Sequence, residues 1–354
     1  MKELSSNIKV EKAALTAFAF LLTALFSDAA VYPVGNEHAM VSVGSGHQSS
    51  PRMALWDSGE GLVVWENAGS TGFKRIVVQA LGEDGRSMGS LQVVSQNVNR
   101  IHDSDPEIAL VDGDKAVVVW ASGNRGRKDI YMALVGRNGS RLGGIQKVNQ
   151  TVSQNQDEPG VGVSADGTIA VVWQSEGQDG DDCGVYGRIY SKAGVSVGGE
   201  LLLSQTTAGD QSDPVVGLDG SGQFIVTWNS GDEIVARRFD SSGTALGAEF
   251  TVNSTTAGVQ QSPALAVARD GQLVISWQGP DADATGIFAQ RYAADGSSAG
   301  NEIAVNTFTP GSQSDPTVEI DADGNFLVAW TSENQDGDGD GVYAQRFNAA
   351  GWAQ

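Results

Sequence analysis

The stretch PTVEIDADGNFLVAW, residues 316–330, decides the fold. Val318 and Ile320 stand two and four residues after Pro316, the period-2 spacing of a strand. Asp323-Gly324 then supplies a tight turn, and a second apolar run ends on Trp330. The same frame recurs as PVVGLDGSGQFIVTW at 214–228. Working outward, Trp65, Trp120, Trp173, Trp228, Trp277 and Trp330 follow one another at spacings of 55, 53, 55, 49 and 53. Each has a proline 14 residues before it: Pro51, Pro106, Pro159, Pro214, Pro263 and Pro316. A fixed period with a constant internal offset dictates the architecture ahead of any local reading.

Small residues alternate with the bulky ones in the proline-led strand, as at Gly160, Gly162, Gly217, Ala264 and Ala266, so one face permits close approach near an axis. A β-branched residue precedes every tryptophan by two positions, from Val63 to Val328. Third strands are expected at Ile76–Val78, Ile130–Met132, Val185–Tyr186, Ile234–Val235, Ile287–Phe288 and Val342–Tyr343. Fourth strands are expected at Leu91–Val94, Ile145–Val148, Leu201–Leu203, Phe250–Val252 and Ile303–Val305. Only five fourth strands follow a tryptophan. Glu200, Glu249 and Glu302 each lie 14 residues before the next proline, and Glu37 lies 14 before Pro51, so residues 37–43 read as the displaced strand. The expected fold is all-β, a six-bladed β-propeller of four-stranded blades, closed where 37–43 joins the C-terminal blade and removes exposed edges. An open β-solenoid or a string of small sandwiches is the competing architecture.

Composition bounds the function. The chain has 354 residues, 43 acidic against 22 basic, and a net charge of -21, which opposes contact with a phosphate backbone and argues against nucleic acid. Cys183 stands alone, so no intramolecular disulfide or multi-cysteine zinc site is available, and three histidines leave little for a histidine metal centre. Lys2, Lys9 and Lys12 precede an uncharged apolar run at 13–26, followed by Ser27-Asp28-Ala29. That is the pattern of a secretory signal peptide over 1–29. At about 1.5 Å per residue the run is short for a membrane span. Residues 30–354 then form a single exported domain, secreted or periplasmic, without a stable membrane span and expected to be monomeric.

Asp336, Asp338 and Asp340 before Gly341 give D-x-D-x-D-G, whose alternate carboxylates can converge on a hard cation. Weaker copies are Asp179 with Asp181 and Asp281 with Asp283. Calcium is the cofactor they point to; the alternative is that Asp-Gly runs make well-solvated turns. With the motif W-x-S-x-x-Q-D-G-D-x-x-G-V-Y, as in residues 330–343 and 173–186, the chain resembles tandem repeats of bacterial secreted and cell-surface proteins described as calcium-binding or adhesin-like. The aspartate loops are also similar to the FG-GAP calcium loops of integrin α-subunit propellers. The resemblance implies a secreted binding propeller and supplies no catalytic residue.

A polar residue stands before each proline, with Asp105, Glu158, Asp213 and Asp315 the acidic ones. These could form a ring at the channel mouth that binds a polar ligand, or they could cap the turn entering the strand, which is the favoured reading. The six tryptophans read as spacers between blades, with their N–H groups on backbone, in preference to sugar platforms. Neither H-E-x-x-H, G-x-S-x-G nor a phosphate loop occurs. The leading expectation is thus a non-enzymatic, adhesion-type propeller recognising a protein or glycan. The alternatives are a carbohydrate-active hydrolase or lyase on the same scaffold, and a structural module of a surface protein.

Overall fold

The computed structural model describes residues 46–69, 72–95, 101–124 and 126–354. Six antiparallel meanders follow one another along the chain, and together they form a six-bladed β-propeller. Their innermost strands are Gln48–Leu55, His102–Leu110, Gln156–Val163, Gln211–Leu218, Gln261–Val267 and Gln313–Ile320. The tryptophan-bearing second strands are Gly61–Asn67, Lys115–Asn124, Ile169–Glu176, Phe224–Ser230, Leu273–Pro280 and Phe326–Glu333. Among the described residues, five blades have four strands and the sixth has three. The third strand of that sixth blade leaves Val342 41% exposed, whereas its counterparts Ile130, Val185, Ile234 and Ile287 are fully buried. The strand expected at 37–43 lies outside the described residues, as does the segment 1–29.

The core is a set of seams between blades. Val117, Val119 and Ile130 of blade 2 pack against Ile169, Val171 and Trp173 of blade 3. The next seam repeats the arrangement with Ala170, Val172 and Val185 against Phe224, Val226 and Trp228. All six repeat tryptophans are buried, and five of them, Trp120, Trp173, Trp228, Trp277 and Trp330, lie in core clusters that join two neighbouring blades, whereas Trp65 packs within blade 1. Their N–H groups do not uniformly reach backbone, however. Trp173 and Trp277 donate to the Gln156 and Gln260 side chains, at 2.9 and 3.0 Å.

Close approach at the axis is literal. A Cβ on Gly162 would lie 2.5 Å from Leu218 Cδ1 and 3.1 Å from the Val216 carbonyl, and one on Gly217 would lie 2.4 Å from Val267 Cγ2. Glycine at these positions lets neighbouring innermost strands touch. The outer rim is tied by the repeated glutamates: Glu249 accepts from Gln205 N at 2.7 Å and Thr206 N at 3.1 Å, and Glu302 accepts from Ser254 N at 2.7 Å. Each of these glutamates thus fastens its own blade to the loop that leaves the preceding one.

Candidate active site at the channel mouth

One backbone feature repeats in all six blades. Ser50, Asp105, Glu158, Asp213, Ser262 and Asp315, the residues before the prolines, have φ between 49° and 54°. Left-handed backbone at non-glycine residues costs on the order of 1–3 kcal/mol each and gathers at ligand sites. In every blade the pairing register slips at this point, as between Ser104 and Glu107 or Ser212 and Val215, so the pre-proline residue and the proline bulge out of the ladder. Proline, which has no N–H to give the ladder, fits such a bulge. A bulge re-aims side chains. Here it turns six of them toward the axis, where they line a cavity of about 480 Å³.

Three of the four acidic residues occupy consecutive blades: Asp105, Glu158 and Asp213, in blades 2, 3 and 4. Asp315 lies across the axis in blade 6 and lines the same cavity. Burial pushes the Glu158 carboxyl up to about 9, helped by its hydrogen bond with Asp213 and by the charges of Asp213, Asp157 and Asp105. Glu158 is therefore protonated at neutral pH. The Asn229 side chain donates to Asp213 Oδ2 at 2.6 Å and so fixes the carboxyl that faces Glu158.

A basic residue of blade 2 balances the neighbouring carboxylates. Lys128 Nζ sits 2.8 Å from Asp157 Oδ2 and 3.5 Å from Asp105 Oδ2, and donates to Ser104 Oγ at 3.0 Å. Burial opposes its charge, but hydrogen bonds and attraction from Asp157 and Asp105 outweigh that and raise its affinity for the proton. A second prop comes from blade 1. The Asp105 N–H donates to Glu66 Oε1 at 2.9 Å, and the other oxygen of buried Glu66 accepts from Ser49 Oγ at 2.9 Å and from Lys74 Nζ at 2.5 Å. Sequence reasoning missed Lys128, Glu66 and Asn229. The available signal was departure from the repeat: the residue after the tryptophan is Glu66 in blade 1, Asn229 in blade 4 and Gln174 in blade 3.

The aspartate loops lie elsewhere, between second and third strands. Asp181 Oδ2 accepts from Gly209 N at 3.0 Å and Asp283 Oδ2 from Gly311 N at 2.8 Å, so each braces the loop leading to the next blade. Asp336 Oδ1 accepts from Asp338 N at 3.2 Å inside its own turn, and Asp340 opens the third strand of blade 6. Asp179 folds against Gly184 and Asp281 against Gly286. Among the described residues no group of three or more His, Cys, Asp or Glu side chains is arranged to hold a metal ion.

No protein-family model matches the chain, and no curated protein matches it. The resemblance to bacterial surface repeats and FG-GAP loops therefore has no family match behind it. Solved structures do match in fold. A protein of unknown function from Dyadobacter fermentans is similar at 12% identity and a TM-score of 0.57, covering 86% of this chain and 95% of its own. A Hadza microbial sialidase is similar at 11% identity and a TM-score of 0.53, covering 81% of this chain and 65% of its own. The α-L-arabinofuranosidase Arb93A from Fusarium graminearum, solved with an iminosugar inhibitor, is similar at 10% identity and a TM-score of 0.53, covering 84% of this chain and 92% of its own. At such identities these likenesses establish the propeller fold.

The expectation of a non-enzymatic, adhesion-type propeller is corrected here. Of these three fold neighbours, both with a named activity are glycosidases. In this chain Asp105, Glu158, Asp213 and Asp315 line the axial cavity, and Asp105 and Asp213 are among the groups that raise the carboxyl of Glu158.

Proposed function

We propose that the chain is a carbohydrate-active hydrolase whose active centre is the axial cavity. The observation that carries the reading is a carboxylic acid whose affinity for its proton is raised by burial and neighbouring charge, Glu158, beside Asp105 and Asp213 in one cavity. Pairs of titratable groups driven apart by their surroundings are what acid–base cleavage of a glycosidic bond requires.

In this reading Glu158 donates its proton to the oxygen of the departing sugar as the C–O bond breaks. Asp105, with Lys128 beside it, takes a proton from the water that attacks the anomeric carbon. Asp213 keeps the proton on Glu158 between turnovers, and Lys128 positions Asp105 and Asp157. In this reading cleavage takes place outside the cytoplasm, in keeping with the apolar run at 13–26, with a glycan as the partner.

Reducing-end release from a panel of polysaccharides and aryl glycosides tests the proposal. Activity is expected on at least one member, and Glu158→Gln and Asp105→Asn are each expected to lower it by roughly a hundredfold or more. A panel on which the purified protein is silent, or activity that survives both substitutions, overturns it.

A further inference from the structure

Just below the mouth the channel has two unlike sides. The residue after each proline lines the cavity: Arg52, Glu107, Gly160, Val215, Ala264 and Thr317 in blades 1 to 6. Blades 6, 1 and 2, neighbours around the ring, thus present a hydroxyl, a guanidinium and a carboxyl. Blades 3, 4 and 5 present bare backbone, an isopropyl and a methyl group, and Pro159, Pro214 and Pro263 beside them extend that apolar side. This level lies two residues along the strand from the pre-proline acids, roughly 6 to 7 Å at ~3.3 Å per residue, a depth comparable to the width of a sugar ring.

Arg52 and Glu107 are the centre of the polar side. Arg52 Nε donates to Glu107 Oε1 at 2.5 Å, and Nη1 turns back to donate to the Pro51 carbonyl at 3.1 Å. Among the described residues neither Arg52 Nη2 nor Glu107 Oε2 forms a hydrogen bond, and the two side chains keep 26% and 30% of their surface exposed. In the planar guanidinium Nη2 stands on the same side as Nε, so the unused donor and the unused carboxylate oxygen are neighbours. The fold does not ask for this pair, because uncharged residues fill the level in the other four blades. Its two charges also compensate each other, so neither a carboxylate nor an ammonium finds a spare partner here. A carboxylate meets Asp105, Glu158, Asp213 and Asp315 at the mouth as well. A neutral diol suits the pair: one hydroxyl accepts from Nη2, its neighbour donates to Oε2, and both bonds are charge-assisted. The C–H surface of the same ring then turns to Val215 and Ala264.

We propose that the Arg52–Glu107 pair is a diol-reading subsite, so that the substrate class is a neutral glycan with free vicinal hydroxyls on the ring beside the bond that breaks. This deepens the hydrolase reading and rests on it for the place of that bond, since Asp105 and Glu107 stand two residues apart on one innermost strand.

Calorimetry on the full-length Glu158→Gln protein measures binding without turnover. The probes are the β-1,4-linked tetramers of glucose, galactose and xylose, whose rings carry free hydroxyls at C2 and C3, with tetragalacturonate and the glucosamine tetramer beside them. At least one neutral tetramer is expected to bind, on the order of tenfold or more tighter than either charged one. Its counterparts deoxygenated at C2 or at C3 of every ring are each expected to lose about tenfold or more, the weight of a hydrogen bond to a charged group. In Glu158→Gln/Arg52→Met/Glu107→Met, where no charge is left unpaired, the same deoxygenation is expected to cost nothing. The first two comparisons use the intact pair and stand whatever the folding of that variant. Failure of every neutral tetramer to bind, equal or tighter binding of a charged one, or a deoxygenation cost that persists without the pair overturns the assignment. Diol-dependent binding in a wild-type protein that cleaves nothing sinks only the hydrolase reading; cleavage whose kcat and KM are both unmoved by Arg52→Met/Glu107→Met sinks only the subsite.

Discussion

Glu158 and Asp213, the pre-proline residues of neighbouring blades, meet at the mouth of the axial channel, where burial and the charge of Asp213 raise the hold of Glu158 on its proton. They are 55 positions apart in the chain yet equivalent within the repeat, so the ring converts one period of sequence into contact. The same repeat that builds the scaffold thereby assembles a carboxyl pair that no local stretch contains.

That proton has a stability signature. The folded-state affinity of Glu158 is raised from 4.5 to about 9, so its contribution is present in full below about pH 4.5 and is lost as pH rises toward 9. Glu158→Gln needs no proton there. Its melting temperature relative to the parent is therefore expected to climb between pH 5 and 8, by at most about 1.4 kcal/mol of stability per pH unit. Thermal melts of both proteins across that range check the slope; parallel curves contradict it.

Lys128 sits between two carboxylates of which one is assigned as the base. Lys128→Met is expected to lower the rate of sugar release by tenfold or more and to move the acidic limb of the pH–rate profile to higher pH, because the positive charge that favours the ionised carboxylates is gone. Lys128→Arg should restore the limb in part. Pure loss of folding would reduce the rate without moving the limb.

Gly162 marks a close approach of two innermost strands. Gly162→Val is expected to destabilise the protein by about 1–3 kcal/mol or more, since the added atoms meet Leu218 and the Val216 carbonyl. Urea unfolding gives the number. A neutral result would mean that the channel wall is looser than described.

The aspartate loops allow a sharp test of calcium. Asp181→Ala and Asp283→Ala are expected to lower the melting temperature by ~1–3 °C through loss of the bonds to Gly209 and Gly311. The loss should be the same in chelator and in millimolar calcium. A calcium-dependent rise in the parent that vanishes in Asp338→Ala would instead assign the loops to the metal.

The scaffold was legible because it is periodic. Pro316 and Trp330, repeated at one offset, suffice to set the strands, and the small residues at Gly162 and Gly217 announce the crowded axis. The site was legible only as a list of pre-proline acids. Their left-handed backbone is hidden, because a residue before proline is normally extended and no glycine or asparagine flags these positions. Protonation was out of reach for the same reason: it depends on burial and on Asp213, Asp157 and Asp105 converging from three blades.

The protonation state of Glu158 is the most direct test of the account. Infrared difference titration of glutamate-labelled protein, in a Glu319→Gln background to remove a second glutamate whose carboxyl burial raises to about 7, should reveal a protonated glutamate at pH 7 that ionises only near pH 9 and is missing in Glu158→Gln. A spectrum with every carboxyl ionised at pH 7, or a protonated signal that survives Glu158→Gln, would contradict it.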